Sequence, residues 1–219
     1  MHIYLDYLIK NVNRTDAANK AWMSPRPYQA GERRQAATKA TRSRILEAAR
    51  ELLTDLEAVT FSIDAVAARA DVARMTVYYQ FKSKGKLLEA LFDDFGVRTN
   101  MKALGEAVRN PDITRGLSAL VDAFCHLWKT EGTLVRRLNA MAGLDPEVDR
   151  ALQERGGWRR EALGVIVGRR RRGRVAAEIV DLLYVLTSFE TYDTLASAGR
   201  SSKEIVAILQ RAVAAVVAA

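Results

Sequence analysis

Apolar residues recur along this chain at helical spacing, and long stretches lack the alternation of a half-buried strand. Ile45, Ala49, Leu52, Leu53 and Leu56 share one face of a helix predicted over about 38–56. A short helix follows over about 62–70, with Ser62 as its N-cap and Ile63, Val66, Ala67 and Ala70 facing inward. A second short helix covers about 73–80, and a longer one after Ser83 carries Leu87, Leu88, Leu91, Phe92 and Phe95. Further helices are expected near 112–129, 131–142, 146–171, 175–198 and 202–218, by the same spacing of about 3.6 residues. Gly199 suits the end of one, and Ser201 with Glu204 three residues on forms a capping box for the last. The pattern predicts an all-α chain: an arm over 1–37, a small helical unit over 38–99 and a larger helical body over 100–219, without internal repeats.

Composition narrows the class. The chain has 219 residues, nearly half of them apolar, and a formal net charge of +8. That length can bury a real core, and the basic excess is compatible with a polyanionic partner. Prolines occur only at 25, 27, 111 and 146, which leaves room for long helices. The single cysteine, Cys125, excludes an internal disulfide and fits a reducing cytoplasm. No run of about 18 uncharged apolar residues is present, so no membrane-spanning helix is expected. The opening MHIYLDYLIK is a poor signal peptide, because Asp6 and Lys10 interrupt its apolar run. Met23 offers an alternative start that would leave 1–22 untranslated.

Candidate chemistry concentrates in TVYYQFKSKGKLLEALF, residues 76–92. It sets Tyr78 beside Tyr79, then places Lys82, Lys84 and Lys86 where a helix begins. A helix N-terminus already carries partial positive charge, so three lysines there are a poor local choice unless a negative partner is met. The preceding SIDAVAARADVARMTVYYQF has the layout of a helix-turn-helix, with small Ala67 at the helix approach and Asp71 at the turn. Ala73, Val77 and Phe81 fall on the inward face of its second helix, while Met75 and Tyr79 point away, flanked by Thr76 and Tyr78, with Arg74 at the edge. These side chains suit base edges and phosphates in a major groove. The lysines and the free N–H groups of the next helix suit a phosphate. Arg44, Ser62 and Gln80 complete the expected DNA-contacting set of Arg74, Met75, Thr76, Tyr78, Tyr79, Lys82 and Lys84. A solvated basic turn is the plainer alternative. Arg33, Arg34, Arg42 and Arg44 either enter a minor groove or stay in solvent.

RSRILEAARELL followed by FSIDAVAARADVARMTVYYQFKSKGKLLEALF resembles the DNA-binding domain of the tetracycline-repressor (TetR) family of bacterial regulators over about 39–99. Thr76-Val77-Tyr78 through Phe81 and Lys84 carries the family pattern. Asp71 stands where that family usually has Gly, and Ala73 where it usually has a capping Ser or Thr. The C-terminal TSFETYDTLASAGRSSKEIVAILQRAVAAVV also resembles the dimerising end of many members. The resemblance implies an all-helical homodimer in the bacterial cytoplasm, associated with the nucleoid. It implies that a small-molecule effector bound in the body moves two DNA-reading heads and releases the operator.

Two broad apolar stripes near the end of the chain predict self-association through Leu182, Val185, Phe189, Ile205, Ile208, Leu209 and Val213; packing within one chain is the alternative. Phe124, Trp128, Leu138, Met141 and Trp158 lie in the middle helices where such an effector would bind, although apolar residues at this spacing also build ordinary core. Few buried charges are evident there, which favours an apolar or aromatic effector. Cys125 and His126 are adjacent on a helix and diverge by about 100°, so they do not converge on a metal. No metal site, cofactor motif, nucleophile motif or paired carboxylates is found, and enzymatic chemistry has little support. The basic run Arg169–Arg172, Gly173, Arg174 joins or ends helices; a solvated loop, a second nucleic-acid contact and an anionic-effector gate all fit it. The favoured function is a ligand-responsive repressor on a palindromic operator. A DNA-binding regulator or activator without a small-molecule switch is the alternative, and a helical small-molecule binder or enzyme with an incidental basic corner is the third.

Overall fold

The structure, a computed structural model, describes residues 29–55, 61–99, 102–169 and 171–218. Residues 1–28, Leu56 and Arg170, all named above, lie outside that set. The described residues form ten helices and no strand: α1 (Gln29–Thr54), α2 (Ile63–Arg69), α3 (Arg74–Phe81), α4 (Lys84–Arg98), α5 (Lys102–Arg109), α6 (Ile113–Ala142), α7 (Pro146–Val167), α8 (Gly173–Leu186), α9 (Phe189–Ser197) and α10 (Ser202–Ala218). None is long and apolar enough to cross a membrane.

Helices α1–α4 make a head around Ile45, Ala49, Leu53, Val66, Val77, Leu87, Leu88 and Leu91, all buried. Leu134 and Leu138 of α6, with Val148 and Ala151 of α7, belong to the same apolar cluster, so the head is seated on the body. Truncating a core leucine such as Leu53 or Leu88 to Ala should cost roughly 2–5 kcal/mol. Helices α5–α10 surround a second core built on Leu117, Leu120, Phe124, Leu163, Ile166, Leu183, Ile205 and Leu209.

The elements differ from the sequence pattern in several places, and the helix expected over 146–171 ends at Val167. The first helix starts at Gln29, nine positions before 38, so the residues nearest the head in the expected arm are helical. A helix not anticipated, α5, buries Leu104, Ala107 and Val108. The helices expected at 112–129 and 131–142 are one helix of 30 residues. The chain runs on as helix through residue 130, and the adjacent Glu131 is buried and held by Arg50 of the head, Nη1–Oε2 2.6 Å and Nη2–Oε1 3.1 Å. The helix expected over 175–198 is two. Thr187 bonds back to the carbonyl of Leu183 (2.8 Å), and Ser188, buried with an extended backbone, caps α9 through the N–H of Thr191 (3.2 Å). The closing signals act as read: Gly199 has φ +82°, the N–H of Ser201 donates to Glu204 Oε2 at 2.8 Å, and the N–H of Glu204 donates to Ser201 Oγ at 3.3 Å.

Candidate nucleic-acid interface

The helix pair α2–α3 is set by its ends. Ser62 Oγ accepts the N–H of Ala65 at 3.1 Å, so this hydroxyl serves the helix cap. Asp71 takes φ +50°, the left-handed turn its position demands, and the N–H of Val72 donates to Ala67 O at 3.0 Å. Ala73 starts α3 with no side-chain cap. Val77 and Phe81 are buried and anchor α3, whereas Ala73 is exposed at its end.

The opposite side of α3 meets solvent. Met75 is 71% and Tyr79 75% exposed, the highest values among the described large apolar and aromatic side chains of the head. Leaving both in water has no local advantage, so this is the surface that calls for a partner. Thr76 is partly exposed beside them. Arg74 is exposed, donates to Asp64 (3.0 Å) and to the hydroxyl of Tyr78 (3.3 Å), and lies 5.5 Å from the Tyr78 ring. The Tyr78 hydrogen bond, with the charge of Asp64, raises its pKa further, so it remains a cation. The Arg74–Asp64 pair is exposed and screened by solvent, so it is weak enough to exchange for a stronger anion. Tyr78 packs its ring partly against the head core. Gln80 is partly buried, and its carbonyl accepts Arg42 Nη1 at 3.0 Å. Arg42 also lies 4.2 Å over the Phe81 ring, so it braces α3 from α1; Arg44 on the same helix is exposed.

The lysine corner divides. Lys82 has φ +70° and is exposed, with Nζ 5.3 Å from the Tyr79 ring, on the same surface as the outer face of α3. Lys84 turns the other way: it ion-pairs with Asp145 at the start of α7, and its side chain is only 16% exposed. The N–H of Gly85 donates to Glu147 Oε2 at 2.9 Å, and Lys86 pairs with Glu89. The start of α4 therefore does meet negative charge, but that charge belongs to the body of the same chain. Lys84 is a head–body tie where the sequence suggested a phosphate contact. The missed signal was Asp145-Pro146-Glu147, an acidic helix start able to satisfy two helices at once.

The expected pocket set separates. Phe124 and Trp128 stack at 5.8 Å in the body core, and Trp128 meets Phe189 edge-on at 5.8 Å. Leu138 and Met141 belong to the head-side cluster, roughly 20 Å further along the continuous α6 at about 1.5 Å per residue. Trp158 lies under Arg155, 4.0 Å from its ring. The dimer set separates likewise. Leu182 and Val185 are 54% and 60% exposed and Ile208 half-buried, but Phe189, Ile205, Leu209 and Val213 are buried within their own chain. The break between α8 and α9 turns Phe189 inward, and α10 spends its inner stripe on α6 and α8. Cys125 is buried and His126 exposed, on diverging sides. Burial, with the charge of Asp122, pushes the Cys125 thiol up to about 12. In the basic run, Arg169 donates to the carbonyls of Val108 and Asn110, capping the end of α5.

The head is thus a helix-turn-helix DNA-binding unit on an all-helical body. Residues 45–91 match the family model of bacterial regulatory proteins of the tetR family, and the chain has the DNA-binding fold of TetR-family transcriptional regulators. The fold is similar to that of a Syntrophomonas wolfei protein assigned to the TetR-family transcriptional regulators (TM-score 0.62, 15% identity, 83% of this chain and 96% of that one). It is also similar to a Mesorhizobium loti protein with the same assignment (TM-score 0.57, 17% identity, 83% and 96%). A transcriptional regulator of Rhodococcus sp. is similar as well (TM-score 0.55, 17% identity, 80% and 95%). No curated protein matches the chain in sequence.

Proposed function

We propose that the protein is a ligand-responsive repressor that binds a palindromic operator as a homodimer. The observation that carries this reading is the outward face of α3. Met75 and Tyr79 stand in solvent beside Arg74, Thr76 and Lys82, while Val77 and Phe81 fix the helix from behind. A short, rigidly seated helix with polar, aromatic and cationic side chains outward suits direct readout in a major groove. The exposed Leu182 and Val185 of α8, continued by half-buried Ile208 of α10, supply a face for a second copy. Two heads so joined would read half-sites roughly 34–36 Å apart, or a spacing set by the same helical repeat. The seating of the head on α6 and α7 through Arg50–Glu131 and Lys84–Asp145 offers a route by which a ligand in the body changes the spacing.

A gel-shift titration against the DNA upstream of the protein's own gene, at stated salt, tests the reading. Footprinting should show a protected palindrome. Binding no tighter than to unrelated DNA would contradict it. The same assay with candidate effectors separates a ligand-released repressor from a regulator without a switch.

A further inference from the structure

We infer that the body binds an organic anion, a carboxylate on an apolar or aromatic frame, whose charge is met by Arg159 of α7. This names the effector class of the proposed switch and rests on that reading. Arg159 lies inside a ring of aromatic faces: Tyr184 at 4.2 Å, Phe124 at 5.7 Å and Trp128 at 5.9 Å from its guanidinium carbon. Its Nη1 donates to the carbonyl of Thr187 at 3.0 Å, an oxygen that also accepts Trp128 Nε1 at 3.1 Å. That carbonyl is available because the helix breaks there between α8 and α9. Arg159 Nε is buried with no hydrogen-bond partner.

No carboxylate among the described residues pairs with Arg159. Glu190, whose charge reaches it, is exposed and accepts Asn139 Nδ2 at 2.8 Å. The neighbouring Arg160 has its own acid, Asp181, and the contrast is the point. A cation largely removed from water, held by one carbonyl, the Tyr184 hydroxyl and ring faces but by no carboxylate, is costly until an anion reaches it. Burial lowers its pKa, yet a guanidinium stays protonated at neutral pH, so the charge cannot be relieved by losing a proton. Arg159 remains partly open to solvent, so a ligand can approach it. The walls beside it are apolar: Phe124 and Trp128 stack in parallel, and Phe189 closes against Trp128. A side chain at Gly156 would collide with the Tyr184 hydroxyl, so glycine at this position lets Tyr184 lie between Arg159 and Arg160. The expectation of an apolar or aromatic effector rested on the lack of evident buried charge; Arg159 supplies one, and the rings beside it keep the apolar frame.

The test compares phenylacetate with phenylacetamide, and decanoate with decanamide, on the full chain, by thermal shift and tryptophan fluorescence. At least one acid should bind and quench, and its amide should bind roughly 10- to 100-fold more weakly, the usual worth of a charge-assisted hydrogen bond. Arg159→Gln should abolish the acid–amide difference, and Arg159→Lys should keep part of it. Equal binding of acid and amide, no binding by either acid, or a preference that survives Arg159→Gln would each overturn the inference. Should Arg159→Gln fail to fold, the acid–amide comparison on the unaltered protein decides alone. An acid that binds but leaves the protein on its operator would sink the switch and leave this site standing. A neutral compound that releases DNA without an acid preference would do the reverse.

Discussion

Lys82 and Lys84 are two residues apart and do different work. Lys82 stands in solvent beside Tyr79, while Lys84 is spent on Asp145. Lys82→Ala should therefore weaken binding to operator and non-specific DNA alike and flatten the salt slope by about one unit. Lys84→Ala should leave that slope unchanged and lower thermal stability instead, since it strands Asp145. Titrations at four salt concentrations, with melting curves alongside, check both; a lowered slope for Lys84→Ala would return that lysine to the DNA. The two could not be separated in sequence, because the partner of Lys84 lies 61 positions away. The turn at Asp71 and the inward Val77 and Phe81 were legible, since each follows from backbone geometry over a few residues. Arg159 was illegible: nothing local marks an arginine whose acid is missing.

Among elements, local signals located most helix ends and tertiary contacts overrode the rest. Ser62, Gly199 and the Ser201–Glu204 box act through neighbours in the chain and were read correctly. The break expected near residue 130 is absent, and Glu131 on that stretch docks on Arg50 of the head. Thr187-Ser188 makes a break that the apolar stripe concealed. The joint between α4 and α7 has a pH signature. Burial pushes the Asp145 carboxyl up, but the Lys84 hydrogen bond, its charge and the N–H groups of Val148 and Glu147 together hold it below its ordinary value. A carboxyl whose pKa is depressed on folding stabilises above its unfolded pKa of about 3.9 and loses that contribution as pH falls through the folded value. Asp145→Asn should lower the melting temperature at pH 7 and diminish the loss of stability below about pH 4. An unchanged acid limb in a pH series of melting curves would show that the joint carries no such linkage.

For the whole molecule, the proposed dimer uses the exposed side of α8 to join two heads on one operator. Leu182→Asp places a charge on a face already in solvent, so the single chain should keep its fold. Sedimentation should then shift from dimer to monomer, and operator affinity should fall by more than about tenfold as the second half-site contact is lost. A variant that sediments unchanged would move the interface elsewhere. The all-α class was legible because it depends on periodicity alone. Which apolar residues stay exposed was not, since periodicity cannot tell an inner stripe such as Ile205, Leu209 and Val213 from an outer one.

The most direct test is equilibrium binding of Tyr79→Ala and Met75→Ala to the upstream DNA, at fixed salt, against the unaltered protein. Both side chains are more than two-thirds exposed, so folding should be untouched and melting temperatures should agree. The outer face of α3 as the reading surface predicts a loss of about 1–3 kcal/mol for at least one variant, confined to specific DNA. Undiminished operator affinity in both, with intact folding, would contradict it.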